Sequence, residues 1–284
     1  MPESPNPLLS VREVHRRYRR PRTSLFGARP EVHALRGVTF DVAAGQRFGI
    51  VGESGSGKST LIRLLCGLDS PTAGTITFNG RDVGGQPERR LGFLRDEVQV
   101  VFQDPMGSLD PRMRVRDIVA EPLARKRGVD VPARVRELLD AVGLPADAAD
   151  RYPHQFSGGQ RQRISIARAL APRPSVLVAD EPVSALDVSV RAQILNLLTD
   201  LAEAYELTLV FVSHDLAVVR HVCDTIAVMH DGAIVELGPA ARVADAPEHP
   251  YTQRLVAAVP TIRAALAGRT AADLAHGNPV QENT

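Results

Sequence analysis

Residues 47–60 read RFGIVGESGSGKST, an apolar run followed by a loop rich in glycine and serine. The run has the length and composition of a buried strand, and residues 58–66 have the apolar spacing of a helix. Between them, GESGSGKS (52–59) fits the pattern G-x-x-x-x-G-K-[ST], in the strand–loop–helix context that this pattern requires. The stretch therefore predicts a phosphate-binding loop within an α/β fold.

The loop supplies the donors and the positive charge that a phosphate needs. Glycines let the backbone wrap around a phosphate, so we expect the N–H groups from Gly55 to Ser59 to donate to it. Lys58 adds a positive charge at the β- and γ-phosphates of a nucleotide, and the Ser59 hydroxyl can ligate Mg²⁺. The residues that we expect to bind the nucleotide here are Gly52, Ser54, Gly55, Ser56, Gly57, Lys58, Ser59 and Thr60.

Three further apolar runs have the composition of buried strands: VQVVF (98–102), VLVAD (176–180) and TLVFVS (208–213). Continuous apolar strands belong in a sheet that is covered on both faces, and such sheets are usually parallel. Helical patterns at 160–171 and 189–204 lie between the runs. The fold class is therefore α/β with a mostly parallel sheet.

A polar side chain follows the apolar part of each run, at Gln103, Asp180, Glu181 and His214. In an open parallel sheet the ligand binds beyond the carboxyl ends of the strands. We expect Asp180 to support Mg²⁺, and Glu181 to orient or deprotonate the attacking water. Gln103 can ligate Mg²⁺ or hold water, and His214 can donate to the γ-phosphate. With the phosphate loop, these groups predict one catalytic nucleotide site.

Two hairpins are predicted beside this core. TITFNGRDV (75–83) turns at Asn79-Gly80, and IAVMHDGAIVE (226–236) turns at Asp231-Gly232. Both dipeptides favour type I′ turns, which join two antiparallel strands.

Two insertions interrupt the α/β pattern. Residues 8–18 alternate enough to form a strand, and the arginine-rich segment 16–33 is expected to be an irregular or hairpin insertion in solvent. Residues 104–156 contain no convincing strand, and segments 111–126 and 132–143 have helical patterns. We therefore expect a helical subdomain between the second and third core strands.

The composition excludes some classes of protein. The 284 residues are enough for one large domain or two small ones. Basic residues number 34 and acidic residues 33, so the net charge of +1 argues against a general nucleic-acid binder. No stretch approaches the ~18 to 20 apolar residues of a membrane span. We expect any membrane role to depend on a partner.

A second glycine-rich helix start lies at FSGGQ (156–160), within RYPHQFSGGQRQRISIARAL. A helical pattern follows at once, so Ser157, Gly158 and Gly159 have the arrangement that suits an anion. The phosphate loop already holds one nucleotide. The residues alone do not indicate which phosphate this second helix start would bind.

Together these motifs resemble the ATP-binding subunit of an ABC transporter. The family pattern is a phosphate loop, a glutamine loop, FSGGQ, an acidic strand end with glutamate, SALD and a switch histidine. All occur here in that order, over about residues 8–240. The fold that the resemblance implies is a P-loop NTPase core with a mostly parallel sheet, an antiparallel β subdomain and a helical insertion subdomain.

The resemblance also implies roles for residues that their chemistry alone leaves open. Tyr18 would stack on adenine, Gln103 would sense the membrane partner, and Ser184–Asp187 would form the loop that links two subunits. The signature residues would meet the γ-phosphate bound to the opposite subunit; these are Ser157, Gly158, Gly159 and Gln160. ATP and Mg²⁺ would then be sandwiched between two ATPase subunits.

A narrower resemblance links the chain to importers of dipeptides, oligopeptides and nickel. It rests on QDPMGSLDPRM (103–113), the stretch around FSGGQ, and HPYTQRLVAAVP (249–260), with SLFG (24–27) as a further match. In isolation HPYT is only a proline-containing turn with no function. Gln155 stands where these proteins commonly have glutamate. Some relatives carry a cysteine cluster near the C-terminus; this chain does not, so no iron–sulfur centre is expected.

The expected organisation follows from that resemblance. Residues 8–243 form the nucleotide-binding domain, with the helical subdomain at about 104–157. Residues 244–267 form an oligopeptide-transporter-type extension, and 268–284 a disordered tail. The expected partners are two transmembrane permease subunits, a second ATPase subunit that is a copy or a paralogue, and indirectly an extracytoplasmic solute-binding protein. The expected location is the cytoplasmic face of the cell membrane.

Four alternatives remain open from the sequence. The solute of an importer can be nickel or another small molecule rather than a peptide. A non-transport ABC ATPase would carry a long coiled-coil insertion or two cassettes in one chain, and neither is evident. A small-molecule phosphotransferase would explain Lys58 and Asp180 but not FSGGQ. A regulator that no longer hydrolyses ATP conflicts with the presence of Glu181 and His214.

Overall fold

A computed structural model describes residues 7–19, 31–124 and 126–258 of the chain. The centre of the arginine-rich insertion lies outside these residues. So do the end of the expected C-terminal extension and the whole tail from 268 to 284.

The core is a six-stranded sheet with the order β10-β9-β3-β8-β7-β6. Four neighbouring pairs are parallel: β9 with β3, β3 with β8, β8 with β7, and β7 with β6. The strand β10 pairs with β9 in antiparallel fashion. The strands are β3 Arg47–Val51, β6 Val98–Val101, β7 Val176–Asp180, β8 Thr208–Ser213, β9 Thr225–His230 and β10 Ala233–Pro239. The prediction of a mostly parallel sheet is confirmed.

A second, antiparallel sheet has the order β2-β1-β4-β5. Its strands are β1 Leu9–Arg19, β2 Glu31–Val42, β4 Ala73–Phe78 and β5 Arg81–Asp82. Phe40 of β2 stacks on Phe48 of β3 with ring centroids 5.0 Å apart, so this sheet packs on one face of the core. It is the predicted antiparallel β subdomain.

Ten α-helices and four short 3-10 helices complete the part of the chain that the structure describes. The α-helices are α1 Lys58–Leu65, α2 Gly92–Glu97, α3 Pro105–Ser108, α4 Val115–Ala120, α5 Val131–Ala141, α6 Gly158–Leu170, α7 Val188–Ala204, α8 Leu216–Val222, α9 Ala240–Asp245 and α10 Pro250–Ala258. The 3-10 helices are Glu88–Arg90, Glu121–Leu123, Ala146–Asp150 and Pro153–Gln155. Within residues 7–19, 31–124 and 126–258, no helix is both long enough and apolar enough to cross a membrane.

Alternate residues of the core strands enter two hydrophobic clusters on opposite faces of the sheet. In β8, Leu209 and Phe211 join the cluster with the large helices, whereas Val210 and Val212 join the cluster with the antiparallel sheet and α1. Every residue of β8 is buried. This two-sided burial explains why the core strands are continuous apolar runs rather than alternating ones.

Both hairpin predictions are confirmed, because β4 pairs with β5 and β9 with β10 in antiparallel fashion. Asn79 and Gly80 have φ of 47° and 71°, and Asp231 and Gly232 have φ of 47° and 80°. These positive values at both central positions are those of a type I′ turn.

The two insertions differ in outcome. Arg16–Arg19 and Glu31–His33 are paired strand residues of β1 and β2, so the described ends of the segment 16–33 have the hairpin form, one of the two expected alternatives. The helix expected over 111–126 is limited to α4 and the 3-10 turn Glu121–Leu123. Pro122 explains the break, because proline has no N–H for the helical ladder and clashes with the preceding turn.

Candidate functional site

The phosphate loop connects β3 to α1 and depends on glycine at three positions. Gly55 and Gly57 have φ of 84° and 106°, values that residues with a side chain rarely adopt. A Cβ on Gly57 would lie 2.6 Å from the carbonyl oxygen of Ala34, and one on Gly52 would collide with the carbonyl of Met229. The loop is therefore wedged between β2 and β9, with its shape fixed before any ligand binds.

Lys58, at the first position of α1, turns back over the loop. Its Nζ donates to the carbonyl oxygens of Gly52 at 2.6 Å and Glu53 at 3.0 Å. Burial lowers the pKa of Lys58, although the nearby carboxylates of Glu181 and Asp180 oppose the shift. The ammonium is thus held among acceptors in a position where a phosphate can join or replace them.

A cavity of about 780 Å³ opens over this loop. The structure brings to it most of the predicted residues: Ser54, Gly55, Gly57, Lys58, Ser59, Thr60, Gln103, Glu181 and His214. Of the predicted loop residues, Gly52 and Ser56 lie outside its lining. Because the carboxyl ends of β3, β6, β7 and β8 meet at one edge of the sheet, residues far apart in sequence share this cavity.

Contacts hold both the backbone and the carboxylate of Glu181. Its φ of 45° is unusual for a residue with a side chain, and its N–H donates to the carbonyl of Val212 at 2.9 Å. Oε2 lies 3.1 Å from Nδ1 of His214, and Oε1 lies 3.9 Å from Nζ of Lys58. The hydroxyl of Ser184 donates to its carbonyl at 3.1 Å. Strain at a site held this firmly is typical of a functional residue.

Asp180 lines a second, adjoining cavity together with Gln103, which lies on both cavities. Burial raises the pKa of Asp180 to about 6, and the Glu181 carboxylate adds to the shift while Lys58 opposes it. A nearby cation stabilises the ionised form of such a buried carboxylate. The donors of Ser59, Gln103 and Asp180 are hydroxyl, amide and carboxylate oxygens, the hard ligands that Mg²⁺ prefers. The donor set therefore fits this ion.

Replacing Asp180 by Asn should stabilise the protein when metal and nucleotide are removed with EDTA. Because the pKa of Asp180 is raised on folding, its ionisation costs stability as the pH rises from about 4 through about 6. We expect a gain of about 1 to 3 kcal/mol at pH 8, allowing for solvent screening of this half-buried group, and little gain near pH 4. Urea unfolding at several pH values measures it. Asp200→Asn, on the exposed side of α7, is the matched control, and an equal gain in both variants would contradict this account.

The signature residues start helix α6, as the sequence predicts. The hydroxyl of Ser157 accepts from the N–H of Gln160 at 3.3 Å, and Oε1 of Gln160 accepts from the N–H of Ser157 at 3.0 Å. This is a capping box. A Cβ on Gly159 would collide with Val190 of α7, so this glycine also permits close helix packing. None of the signature residues lines the cavity over the phosphate loop.

Tyr18 also lies outside the lining of that cavity. Its hydroxyl donates to Oδ2 of Asp69 at 2.7 Å, and the guanidinium of Arg16 lies 4.6 Å from its ring centroid. These contacts hold the ring against Arg16 and Asp69 at the end of β1. Stacking of adenine on Tyr18 remains a prediction.

Other residues line the cavity without having been predicted from the sequence. Val32, His33 and Arg36 come from β2, and Asp231 comes from the turn between β9 and β10. The N–H of Gly232, in the same turn, donates to the carbonyl of Ser56 at 3.0 Å. The Asp231-Gly232 dipeptide signalled the turn, but nothing local indicated that the turn braces the phosphate loop.

Comparison with known proteins identifies the family. The ABC transporter family matches residues 35–184, and the C-terminal region of oligopeptide/dipeptide transporters matches residues 235–282. The Di/tripeptide transport ATP-binding protein DppF of Pseudomonas aeruginosa (strain UCBPP-PA14) is 46% identical over 258 residues, which are 90% of this chain and 80% of DppF.

Two further comparisons agree with that assignment. The Glutathione import ATP-binding protein GsiA of Escherichia coli (strain K12) is 49% identical over 257 residues, and this chain spans 41% of its length. The dimeric structure of a post-hydrolysis state of the ATP-binding cassette MJ0796, bound to ADP and Pi, covers 82% of this chain, and the match takes in 98% of that structure. Its TM-score is 0.72 at 31% identity. The chain therefore belongs to the ABC transporter family, as an ATP-hydrolysing subunit with the C-terminal region of the oligopeptide/dipeptide transporters.

Proposed function

We propose that this ATPase powers the uptake of di- and oligopeptides through partner membrane subunits. The observation that carries the proposal is the match of residues 235–282 to the C-terminal region of oligopeptide/dipeptide transporters. The name of DppF, a di/tripeptide transport protein, supports the same class of solute. Two ATPase subunits, the second a copy or a paralogue, sandwich two molecules of ATP.

In each site one subunit supplies the groups around the cavity. The loop N–H groups and Lys58 hold the β- and γ-phosphates. The carboxylate of Glu181 orients the attacking water and accepts its proton, and His214 keeps that carboxylate in place and donates to the γ-phosphate. The 3.1 Å contact between Glu181 and His214 supports this division of roles.

The Ser157–Gln160 helix start belongs to the opposite site. Its absence from the lining of the cavity in its own chain supports this, because a helix start that suits an anion then has no phosphate of its own chain to bind. Mg²⁺, when bound by Ser59, Gln103 and Asp180, neutralises charge on the β- and γ-phosphates. ATP closes the pair of subunits and hydrolysis reopens it.

The membrane partners are two permease subunits that dock near Gln103 and the helical subdomain at about 104–157. The chain is then peripheral, on the cytoplasmic face of the membrane, and an extracytoplasmic solute-binding protein delivers the peptide. We assign residues 8–243 to the nucleotide-binding domain and 244–267 to the extension. Of the extension, residues 259–267 lie outside the described part of the chain.

The proposal is tested by uptake in vesicles that contain the complete transporter. We expect labelled di- or tripeptide to accumulate only with internal ATP, and Lys58→Ala to reduce uptake to background because the phosphates lose their cation. Arg63→Ala, which removes a cation from the exposed side of α1, is the matched control and should retain uptake. Accumulation of radioactive nickel without that of peptide would contradict peptide import and favour the nickel alternative.

A further inference from the structure

The residues His249–Thr252 open the last described helix, α10. The N–H of Gln253 donates to the carbonyl of His249 at 3.0 Å, and Nδ1 of His249 accepts from the N–H of Tyr251 at 3.2 Å. Pro250 occupies the first helical position, where no N–H is needed. HPYT is thus a helix start whose cap is a histidine, and its geometry determines where Tyr251 lies.

Tyr251 reaches the phosphate loop. Its side chain is buried, and its hydroxyl oxygen accepts from the backbone N–H of Glu53 at 3.1 Å. Its ring stacks on His230, at the end of β9, with centroids 3.9 Å apart. Burial raises the pKa of Tyr251, so the hydroxyl is neutral at physiological pH.

The peptide bond between Gly52 and Glu53 is therefore held from both sides. Its carbonyl oxygen accepts from Nζ of Lys58 at 2.6 Å, and its N–H donates to Tyr251. A peptide group is planar and rigid, so a contact that fixes its N–H also fixes the direction of its carbonyl. The Tyr251 hydroxyl thereby sets the position of the acceptor on which the Lys58 ammonium rests.

Glu236 fixes the segment that carries Tyr251. Its carboxylate is buried and accepts from the N–H groups of Glu248 at 3.0 Å and His249 at 3.1 Å. Burial alone would raise the pKa of Glu236, but the hydrogen bonds to its oxygens outweigh burial and lower it. The group is therefore an anion at neutral pH, which strengthens its hold on both N–H donors.

We propose that Tyr251 is a positioning residue for ATP, acting through the Gly52–Glu53 peptide on Lys58. The C-terminal region would then help to hold the nucleotide site in shape. A shift of α10 relative to β10 would alter the phosphate loop directly. The inference rests on ATP binding by this loop and is independent of the transported solute.

The test is Tyr251→Phe in the full chain, measured by ATP binding and by steady-state hydrolysis in its complex. Phenylalanine keeps the ring on His230 and removes only the acceptor of the Glu53 N–H. Because the lost contact changes how the loop and Lys58 hold the bound phosphates, we expect KM and the Kd for ATP to rise about three- to tenfold. We expect kcat to stay within about twofold. A purely structural role would instead lower the active fraction, and hence kcat, without changing KM.

Two further variants decide the interpretation. Tyr205→Phe removes another half-buried tyrosine hydroxyl, at the end of α7, and should leave KM and Kd unchanged. Glu236→Gln loosens the hold on Glu248 and His249, and should raise KM in the same direction as Tyr251→Phe. Unchanged KM and Kd in Tyr251→Phe, or an equal rise in Tyr205→Phe, would overturn the proposal. An unchanged KM in Glu236→Gln would overturn the part assigned to Glu236.

Discussion

Glu181→Gln should stop hydrolysis while ATP stays bound. The variant keeps the size and hydrogen-bonding geometry of the side chain, so contacts with His214 and with the backbone of Val212 remain possible. It removes the group that accepts the proton of the attacking water, and general-base catalysis contributes a factor of about 100 to 10,000. We therefore expect turnover to fall about 100-fold or more, with the subunit pair trapped in its closed, ATP-bound state.

The measurement combines phosphate release with size-exclusion chromatography in ATP, on the complex of this chain and its ATPase partner. Glu203→Gln also removes one negative charge, on the exposed side of α7, and this variant should hydrolyse ATP normally. Normal turnover in Glu181→Gln, with ATP binding retained, would rule out Glu181 as the base. Loss of ATP binding would instead place Glu181 in phosphate binding, through its 3.9 Å contact with Lys58.

The strands and hairpins could be predicted because their signals are local. A buried parallel strand is a continuous apolar run, as in β8, and a type I′ turn requires residues such as Asn79-Gly80 at fixed positions. The end of β1 was less clear, because Arg16, Arg17 and Arg19 are not typical strand residues. Their strand is stabilised by pairing with β2 and β4, which no local pattern specifies.

The site was predicted in part for a related reason. Strand ends of a parallel sheet meet by topology, so Gln103, Glu181 and His214 could be brought together without knowledge of the strand order. The contact between Glu53 and Tyr251 joins residues 198 positions apart and depends on how α10 docks after β10. Periodicity carries no information of that kind. The resemblance of HPYT to a family indicated its importance, but only the packing explains it.

The order of the core strands was not predictable either. β9 follows β8 along the chain but lies on the other side of β3. This crossover brings the Asp231-Gly232 turn beside the phosphate loop, where Gly232 donates to the carbonyl of Ser56. Long-range pairing of this kind is decided by which faces can be buried together, so it requires the complete structure.

Ser157→Arg should leave ATP binding by the single chain intact and abolish closure of the pair. Ser157 is exposed at the N-terminal end of α6 and lies outside the ATP cavity of its own chain. A long cation there would occupy the space between the subunits, next to the γ-phosphate of the opposite site. We expect hydrolysis to fall about 100-fold or more, with the Kd for ATP of the single chain changed less than twofold.

The loss of the Ser157 cap must be separated from the loss of the interface. Arginine removes the hydroxyl that accepts from Gln160, which costs about 1 kcal/mol of stability. Ser157→Ala removes the same cap without added bulk, so it should show the same loss of stability but retain pairing. The two changes are best compared in the Glu181→Gln chain, where ATP holds the pair closed. If the Ser157→Arg double variant still elutes as a closed pair in ATP, the signature helix does not lie at the shared site, because a shared site cannot accommodate that side chain.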